Sequence, residues 1–195
     1  MLKRSSDIAV ALIGIVVLSP VWLAIAAAVK LSSPGPVLYR QPRLMQGGRV
    51  FTMYKFRTMV DGAEALLNSV SHLNQASGPL FKSRDDPRVT AVGRFLRRHY
   101  LDELPQFLNV LKGNMSLVGP RPCLRNEEAL HREALAFRFA VPQGMTGPWQ
   151  INGHHGITFE EQLRVEREYV ESWSLLRDVG IMARTLLIVM RRTGI

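Results

Sequence analysis

The sequence predicts one α-rich α+β domain, with a small β-hairpin and an apolar N-terminal segment that associates with a membrane. Three observations predict it. Residues 8–29 carry no charge and are almost wholly apolar. Most later segments space their apolar residues by three and four, the period of a helix face, and only two short stretches have the composition of strands. The 195 residues suffice for one core but hardly for two, so 1–195 reads as a single domain whose water-facing part is 30–195.

Apolar residues make up 47% of the chain, which excludes a disordered tail, and the net charge is +9. Such an excess favours anionic partners: nucleic acid, acidic lipid headgroups or phosphorylated substrates. The single cysteine, Cys123, excludes an intrachain disulfide and fits a reducing compartment such as the cytoplasm. Nothing beside it marks a nucleophile.

The N-terminal run is long enough, as a helix, to cross a bilayer, for which about 20 apolar residues suffice. Lys3 and Arg4 precede it, and Lys30, Arg40, Arg43 and Arg49 follow it. Positive charge favours the cytoplasmic side, so both flanks favour the same side. Ser19-Pro20 lies in the middle. Pro20 removes a backbone donor and kinks a helix, and the Ser19 hydroxyl can satisfy a group left unpaired. The pattern fits a re-entrant helix-break-helix that enters one leaflet and returns, and equally a single kinked span. A secretory signal peptide is a third reading, carried by Lys3-Arg4 and the small residues Ala24, Ala26 and Ala28. The length of the run and Asp7 at its edge oppose it.

Ser32-Ser33-Pro34-Gly35-Pro36 interrupts the chain. Residues 37–40 and 50–56 predict two strands joined around Gly47-Gly48, a hairpin. Lys55 and Arg57, at the end of the second strand, either face a phosphate or form a solvated cationic edge. Ala63, Leu66, Leu67, Val70 and Leu73 predict a helix over 61–73. Residues 74–90 are polar and broken by Gly78-Pro79 and Asp85-Asp86-Pro87, a loop that is a candidate for motion.

The centre of the chain is Leu101-Asp102-Glu103-Leu104-Pro105-Gln106. A helix begins before it at Thr90, with Val92, Phe95 and Leu96 on one face, and carries Arg94, Arg97 and Arg98. Pro105 suits the first turn of a second helix, 106–112, which Gly113 ends. Asp102 is then a candidate N-cap, a common structural role. The same placement serves chemistry. A helix N-terminus and nearby arginines hold a carboxylate ionised, as a nucleophile requires. Acids beside several arginines suit phosphate chemistry, since guanidinium groups neutralise phosphate oxygens while a carboxylate attacks or holds a metal.

Residues 114–122 are rich in turn formers. Pro120 and Pro122 stiffen the backbone around Arg121 and present its guanidinium with little entropy loss. Residues 124–139 predict a charged amphipathic helix with Leu130, Leu135 and Phe139 inward. Residues 142–150 read as a loop in which Trp149 stacks on a base or sugar, or joins the core. His154-His155 lacks a third ligand at a useful spacing, so no zinc is assigned. Thr158 and Glu161 form a capping box for a helix over 158–173. Residues 178–192 predict an apolar helix with Arg184, Arg191 and Arg192, either lying at a membrane interface or packed on the core.

Several of these motifs occur in a fixed order: Lys3-Arg4 with Asp7, Ser19-Pro20, residues 35–41, Lys55-Phe56-Arg57-Thr58-Met59, Asp86-Pro87-Arg88-Val89-Thr90, residues 101–106, Asn109-Val110-Leu111-Lys112-Gly113, residues 115–122, Thr146-Gly147 and Gln150. Each is modest alone; as an ordered set they are specific. Over nearly its whole length the chain resembles the bacterial sugar transferase family, the monotopic polyprenyl-phosphate phosphoglycosyl transferases, in their minimal catalytic form.

The resemblance implies transfer of a sugar 1-phosphate from a UDP-sugar to undecaprenyl phosphate with release of UMP, the first membrane step of a bacterial glycoconjugate pathway, with Mg²⁺ as cofactor. It implies that Asp102 attacks the β-phosphate and carries the phospho-sugar until the polyprenyl phosphate displaces it. Glu103 would hold the Mg²⁺, and Arg97 and Arg121 would bind phosphate oxygens, with Lys55, Arg57 and Arg88 as further phosphate-binding candidates. It favours the re-entrant helix, broken at Ser19-Pro20, and the cytoplasmic face of the bacterial inner membrane. It accounts for the charge through anionic substrates and membrane lipids, without nucleic acid. The chain departs from the family pattern at Tyr100, where Ser is usual, at His154-His155, where an Arg is common, and at Glu166, where Asp is frequent. Trp149-Gln150 is closer to members that transfer hexose 1-phosphates than to those that transfer acetamido sugars.

Two other classes of function fit parts of the sequence. A non-catalytic basic protein would bind any polyanion in a salt-sensitive way, independently of Asp102 and Glu103. A single-pass membrane scaffold would use the apolar run alone. Exposed apolar helices can also seat a homodimer as well as a bilayer.

Overall fold

The apolar N-terminus folds as one helix, α1 (Leu2–Ser32), with Pro20 inside it. Proline at that position leaves the Val16 carbonyl without its usual donor. The Ser19 hydroxyl donates to that carbonyl at 2.8 Å. Helical structure therefore runs through Ser19-Pro20, where the sequence suggested a break. The computed structural model describes residues 2–74, 83, 85–152 and 158–191.

Both ends of α1 pack on the same globular body. Near the N-terminus, the Arg4 guanidinium donates to the Val110 and Leu111 carbonyls at 2.6 and 2.9 Å. Buried Asp7 accepts from the Leu117 amide at 3.0 Å. Ala11 joins one apolar core with Phe51, Met53, Val110 and Tyr169. Near the other end, Ile25 and Val29 join a second core with Phe56 and Leu96. The middle faces outward: Val16 and Val17 are 70% and 67% exposed. α1 is long and apolar enough to cross a membrane.

The hairpin forms as expected. Strands β1 (Leu38–Leu44) and β2 (Val50–Phe56) pair antiparallel. Gly47 and Gly48 between them take φ values of 75° and 69°, which side chains disfavour. β1 is longer than expected and passes through Pro42. That is tolerated because β1 pairs with β2 on one side only, among the described residues. The other edge of β2 is covered by helix α4 (Gln106–Leu111) rather than by a strand. Fully buried Asn109 makes the join: its amide accepts from Tyr54 N at 3.0 Å and donates to Thr52 O at 2.7 Å.

Of the helix expected over 61–73, only α2 (Leu67–Val70) forms, followed by a single 3-10 turn. Gly62, at φ 72°, turns the chain before it. Ala63 and Val70 are still buried, so the apolar spacing located an inward face while the backbone took another course. Most of the loop expected to move, residues 75–82 and 84, lies outside the described residues.

Residues 58–60 pair with 88–90 through Val60 N to Arg88 O (2.9 Å) and Thr90 N to Thr58 O (3.0 Å). Thr90 then caps α3 (Ala91–Arg98), accepting from Gly93 N at 2.9 Å. α3 lies so close to this strand that a Cβ on Gly93 would stand 1.9 Å from the Thr58 carbonyl oxygen. Gly93→Ala is expected to cost about 3 kcal/mol or more, because a backbone and not a flexible side chain must yield. Thermal unfolding in detergent measures it, and a wild-type midpoint would refute the contact. On α3, Leu96 is buried as expected, but Phe95 is 56% exposed.

Two segments read as loops form a parallel pair, β3 (Ser116–Val118) with β4 (Gly144–Thr146). Glycines at the crossing permit it: a Cβ on Gly144 would lie 2.1 Å from Gly119 N. α5 (Arg125–Leu135) stops short of the expected 139 and continues as a 3-10 turn; Leu135 is buried but Leu130 faces solvent. α6 (Pro148–Ile151) is a single turn. α7 (Phe159–Glu171) starts at the expected capping box, with Thr158 and Glu161 each accepting from the other's amide. α8 (Leu175–Met190) starts three residues before the expected 178, because Ser174 caps it. Leu176, Leu186 and Met190 on α8 are exposed, whereas Ile181 packs in the core.

Candidate active site

The acid pair lies on a 3-10 turn, Leu101–Glu103, between α3 and α4. Leu101 and Leu104 anchor the turn in the second core. Tyr100, just before it, adopts φ 56°, the left-handed region that a non-glycine residue occupies at a cost of about 1–3 kcal/mol. Asp102 does not cap α4. Pro105 stands at the cap position and no side chain bonds there. The turn separates Asp102 from the helix start, which frees its carboxylate from the role that the sequence first offered it.

Lys55, on β2, meets Glu103 Oε1 at 2.7 Å. Arg97, on α3, donates from Nε to Thr58 Oγ1 at 2.9 Å, so the end of β2 and the end of α3 are tied beside the acids. Burial pushes the Asp102 carboxyl up to about 6, and the neighbouring Glu103 adds to this; Lys55 and Arg97 pull it back down. The carboxyl thus remains ionised at neutral pH but sits above its ordinary range, because burial outweighs the cations.

Arg121 reaches the same cleft from beyond β3. Its amide donates to Glu166 at 3.1 Å, and its guanidinium stands 5.0 Å from the centre of the Trp149 ring. Its Nε is buried with no hydrogen-bond partner among the described residues. Glu166 is itself wholly buried and ion-paired with Arg138. Burial raises its pKa while Arg138 opposes the rise. The Glu that replaces a frequent Asp thus holds the backbone at Arg121. Trp149 supports a cation and was expected instead on a ligand or in the core.

Arg57 and Arg88 stand differently. Arg57 is buried and its guanidinium donates to the Ser33, Pro34 and Pro36 carbonyls and to the Ser33 hydroxyl, at 2.6–2.9 Å. Arg88 forms a two-pronged pair with Asp86 at 2.9 and 2.7 Å and also donates to Ala63 O. That pairing holds the Asp86 carboxyl below its usual range. Both line the cleft, but their donors hold the fold rather than await a phosphate. Sequence spacing found basic residues here and could not tell a clamp from a ligand.

Lys55, Arg97, Asp102, Glu103 and Arg121 border one open cleft of about 1330 Å³. Sequence reasoning named all five. It missed the parts that hold them: Asn109, which joins α4 to β2; Thr58, which holds Arg97; and the Arg138–Glu166 pair. Asn109 and Thr58 lie inside motifs quoted above, but no local pattern shows what their side chains reach. His154-His155 lies outside the described residues.

Such a site defines a class: a helix-rich domain with a long apolar helix and a carboxylate pair beside cations in one open cleft. The model of the family described as bacterial sugar transferase matches residues 1–192, and the chain belongs to that family. It is 42% identical over 194 residues to the UDP-glucose:undecaprenyl-phosphate glucose-1-phosphate transferase of Escherichia coli, covering 95% of this chain and 39% of that one. It is 36% identical over 201 residues to the undecaprenyl-phosphate galactose phosphotransferase of Salmonella typhimurium, covering 99% and 41%. The exopolysaccharide production protein ExoY of Sinorhizobium fredii is 38% identical over 188 residues, covering 94% and 83%. The chain thus spans about two fifths of some relatives and over four fifths of others.

Proposed function

We propose that this protein transfers a sugar 1-phosphate from a UDP-sugar to undecaprenyl phosphate and releases UMP, through a covalent phospho-sugar on Asp102. The observation that carries the reading is the position of the Asp102-Glu103 turn between Lys55, Arg97 and Arg121 in one open cleft. The family and the undecaprenyl-phosphate transferases among its relatives support it.

A diphosphate seated among the three cations has its charge neutralised. An Asp102 oxygen attacks the β-phosphorus; an acyl-phosphate bond forms, the β-phosphorus bond to the bridging oxygen breaks, and UMP leaves with that electron pair. The phosphate oxygen of the lipid then attacks the same phosphorus, and the Asp102 carboxylate leaves. Arg97 and Arg121 hold the phosphate oxygens, and Lys55 positions Glu103. Among the described residues no three metal-binding side chains gather. One or two carboxylates with substrate phosphates nevertheless form an ordinary Mg²⁺ donor set, which Glu103 beside Asp102 fits. Bound there, Mg²⁺ would supply neutralising charge to the diphosphate.

We also place the chain on the cytoplasmic face, with α1 re-entrant. Packing of residues 3, 4 and 7 and of residues 25 and 29 on one body supports this, since a straight crossing would carry one end away from it. Labelling a cysteine at position 2 tests it: access only from the side opposite the catalytic part would refute it.

The test of the activity is UMP release in nanodiscs with Mg²⁺, undecaprenyl phosphate and a panel of UDP-sugars. Mass spectrometry of protein stopped before lipid is added should show one phospho-sugar adduct on a peptide containing Asp102. Release of UMP from no donor would overturn the reading. Below about pH 6, kcat/KM is expected to fall about tenfold per unit, because the raised pKa leaves Asp102 protonated and unable to attack as pH drops through it. A rate flat from about pH 7 to pH 5 would contradict that assignment.

A further inference from the structure

In the hairpin register Tyr39 stands directly opposite Lys55. Side chains paired in this way share a face, with Cβ atoms about 5 Å apart. Lys55 touches Glu103, so the strand pair that carries Tyr39 also carries the lysine that meets the acid pair. Its hydroxyl donates to Glu64 Oε1 at 2.7 Å, joining β1 to the turn that precedes α2. Tyr39 and Glu64 both line the cleft that contains Asp102.

Lys55, Arg97 and Arg121 suit phosphates. The Arg57 and Arg88 donors are taken up by the fold, and the same lining also carries Tyr39, Arg40, Gln41, Asp61 and Glu64. Carboxylates repel phosphates and accept hydrogen bonds from hydroxyls. An aromatic ring offers a flat apolar face with a polar tip. This is the chemistry of a neutral polyol, and the sugar is bonded to the phosphorus that Asp102 attacks.

We propose that Tyr39 and Glu64 form the subsite that reads the hydroxyls of the donor's hexose. The Glu64 carboxylate accepts from sugar hydroxyls, and the Tyr39 ring lies along the pyranose. Burial and Glu64 push the Tyr39 hydroxyl up to about 12, so it remains a donor at neutral pH. Sites that hydrogen-bond a substrate hydroxyl discriminate strongly against analogues that cannot satisfy them. The pair should therefore decide which hexose is accepted. The inference rests on the transfer reading above, because that reading supplies a UDP-sugar.

Two measurements separate the two claims. Binding of UDP-glucose, UDP-galactose and UDP is measured in the Asp102→Asn background, which is not expected to turn over. The preferred UDP-hexose should bind at least about tenfold tighter than UDP. Glu64→Ala and Tyr39→Ala in that background should each remove most of this increment and the preference between the two hexoses, while UDP affinity stays within about twofold. Turnover is measured separately in otherwise wild-type chains, with thermal unfolding as a check on folding. An unchanged increment in both folded variants overturns the subsite, and so does an equal loss of UDP and UDP-hexose affinity, which would place the pair at the nucleotide. A wild type that turns over no donor, with the hexose increment present and lost in the variants, overturns the transfer reading and sustains the subsite.

Discussion

Asp102→Asn is expected to release UMP at no more than about a thousandth of the wild-type rate, a loss of about 4 kcal/mol in transition-state stabilisation. The substitution keeps the shape of the turn, because Asp102 caps no helix and the turn is anchored by Leu101 and Leu104. It removes the oxygen charge that the attack requires. Folding should be preserved, or slightly improved: an amide does not carry the desolvation cost that raises the carboxyl to about 6. The check is UMP release together with the thermal midpoint of the variant. Loss of rate with a preserved midpoint and no phospho-sugar adduct supports covalent catalysis. A variant within about tenfold of wild type would reduce Asp102 to a bystander and leave the covalent route without a nucleophile.

Arg121→Ala is expected to lower kcat/KM by about two to three orders of magnitude, the scale seen when one positioned donor to a developing charge is removed. Arg121→Lys should recover only part of this. Lysine keeps the charge but loses the planar fork and the contact with Trp149, which lies 5.0 Å from the guanidinium. The backbone amide that donates to Glu166 is unchanged in both variants, so the local fold should persist. Comparison of kcat/KM for the three proteins decides the matter. If Arg121→Lys matches wild type, a point charge suffices. If Arg121→Ala does as well, the guanidinium only braces Trp149.

Much of the site was legible because its chemistry is crowded into short stretches. Leu101 to Gln106 carries both acids and the proline that starts α4, and Pro120-Arg121-Pro122 carries a stiffened cation. The hairpin announced itself through Gly47-Gly48, and α7 through its capping box, because both signals are complete within a few residues. The same locality misled at residues 61–73, where Gly62 turns the backbone out of the helical course, and at 124–139, where α5 ends at Leu135 and a 3-10 turn follows.

What the sequence alone determined is the inventory: an uncharged apolar run interrupted by Ser19-Pro20, an acid pair before a proline-started helix, an excess of cations, and an ordered motif set that belongs to one family. What only the tertiary structure decided is which groups are spent and which are available. Arg57 and Arg88 look like phosphate ligands in sequence, but carbonyls and Asp86 occupy them. Asn109 looks like a helix residue, but it closes the edge of β2 and so fixes the acids against Lys55. Asp102 looks like a cap, but it stands on a separate turn, where burial raises its pKa. The reason is physical: a side chain's charge and length are local properties, whereas its loss of water and its choice of partner are set by the folded chain, whether that partner is two residues away, as Asp86 is from Arg88, or 21 and 110 away, as for Arg57 and Asp7.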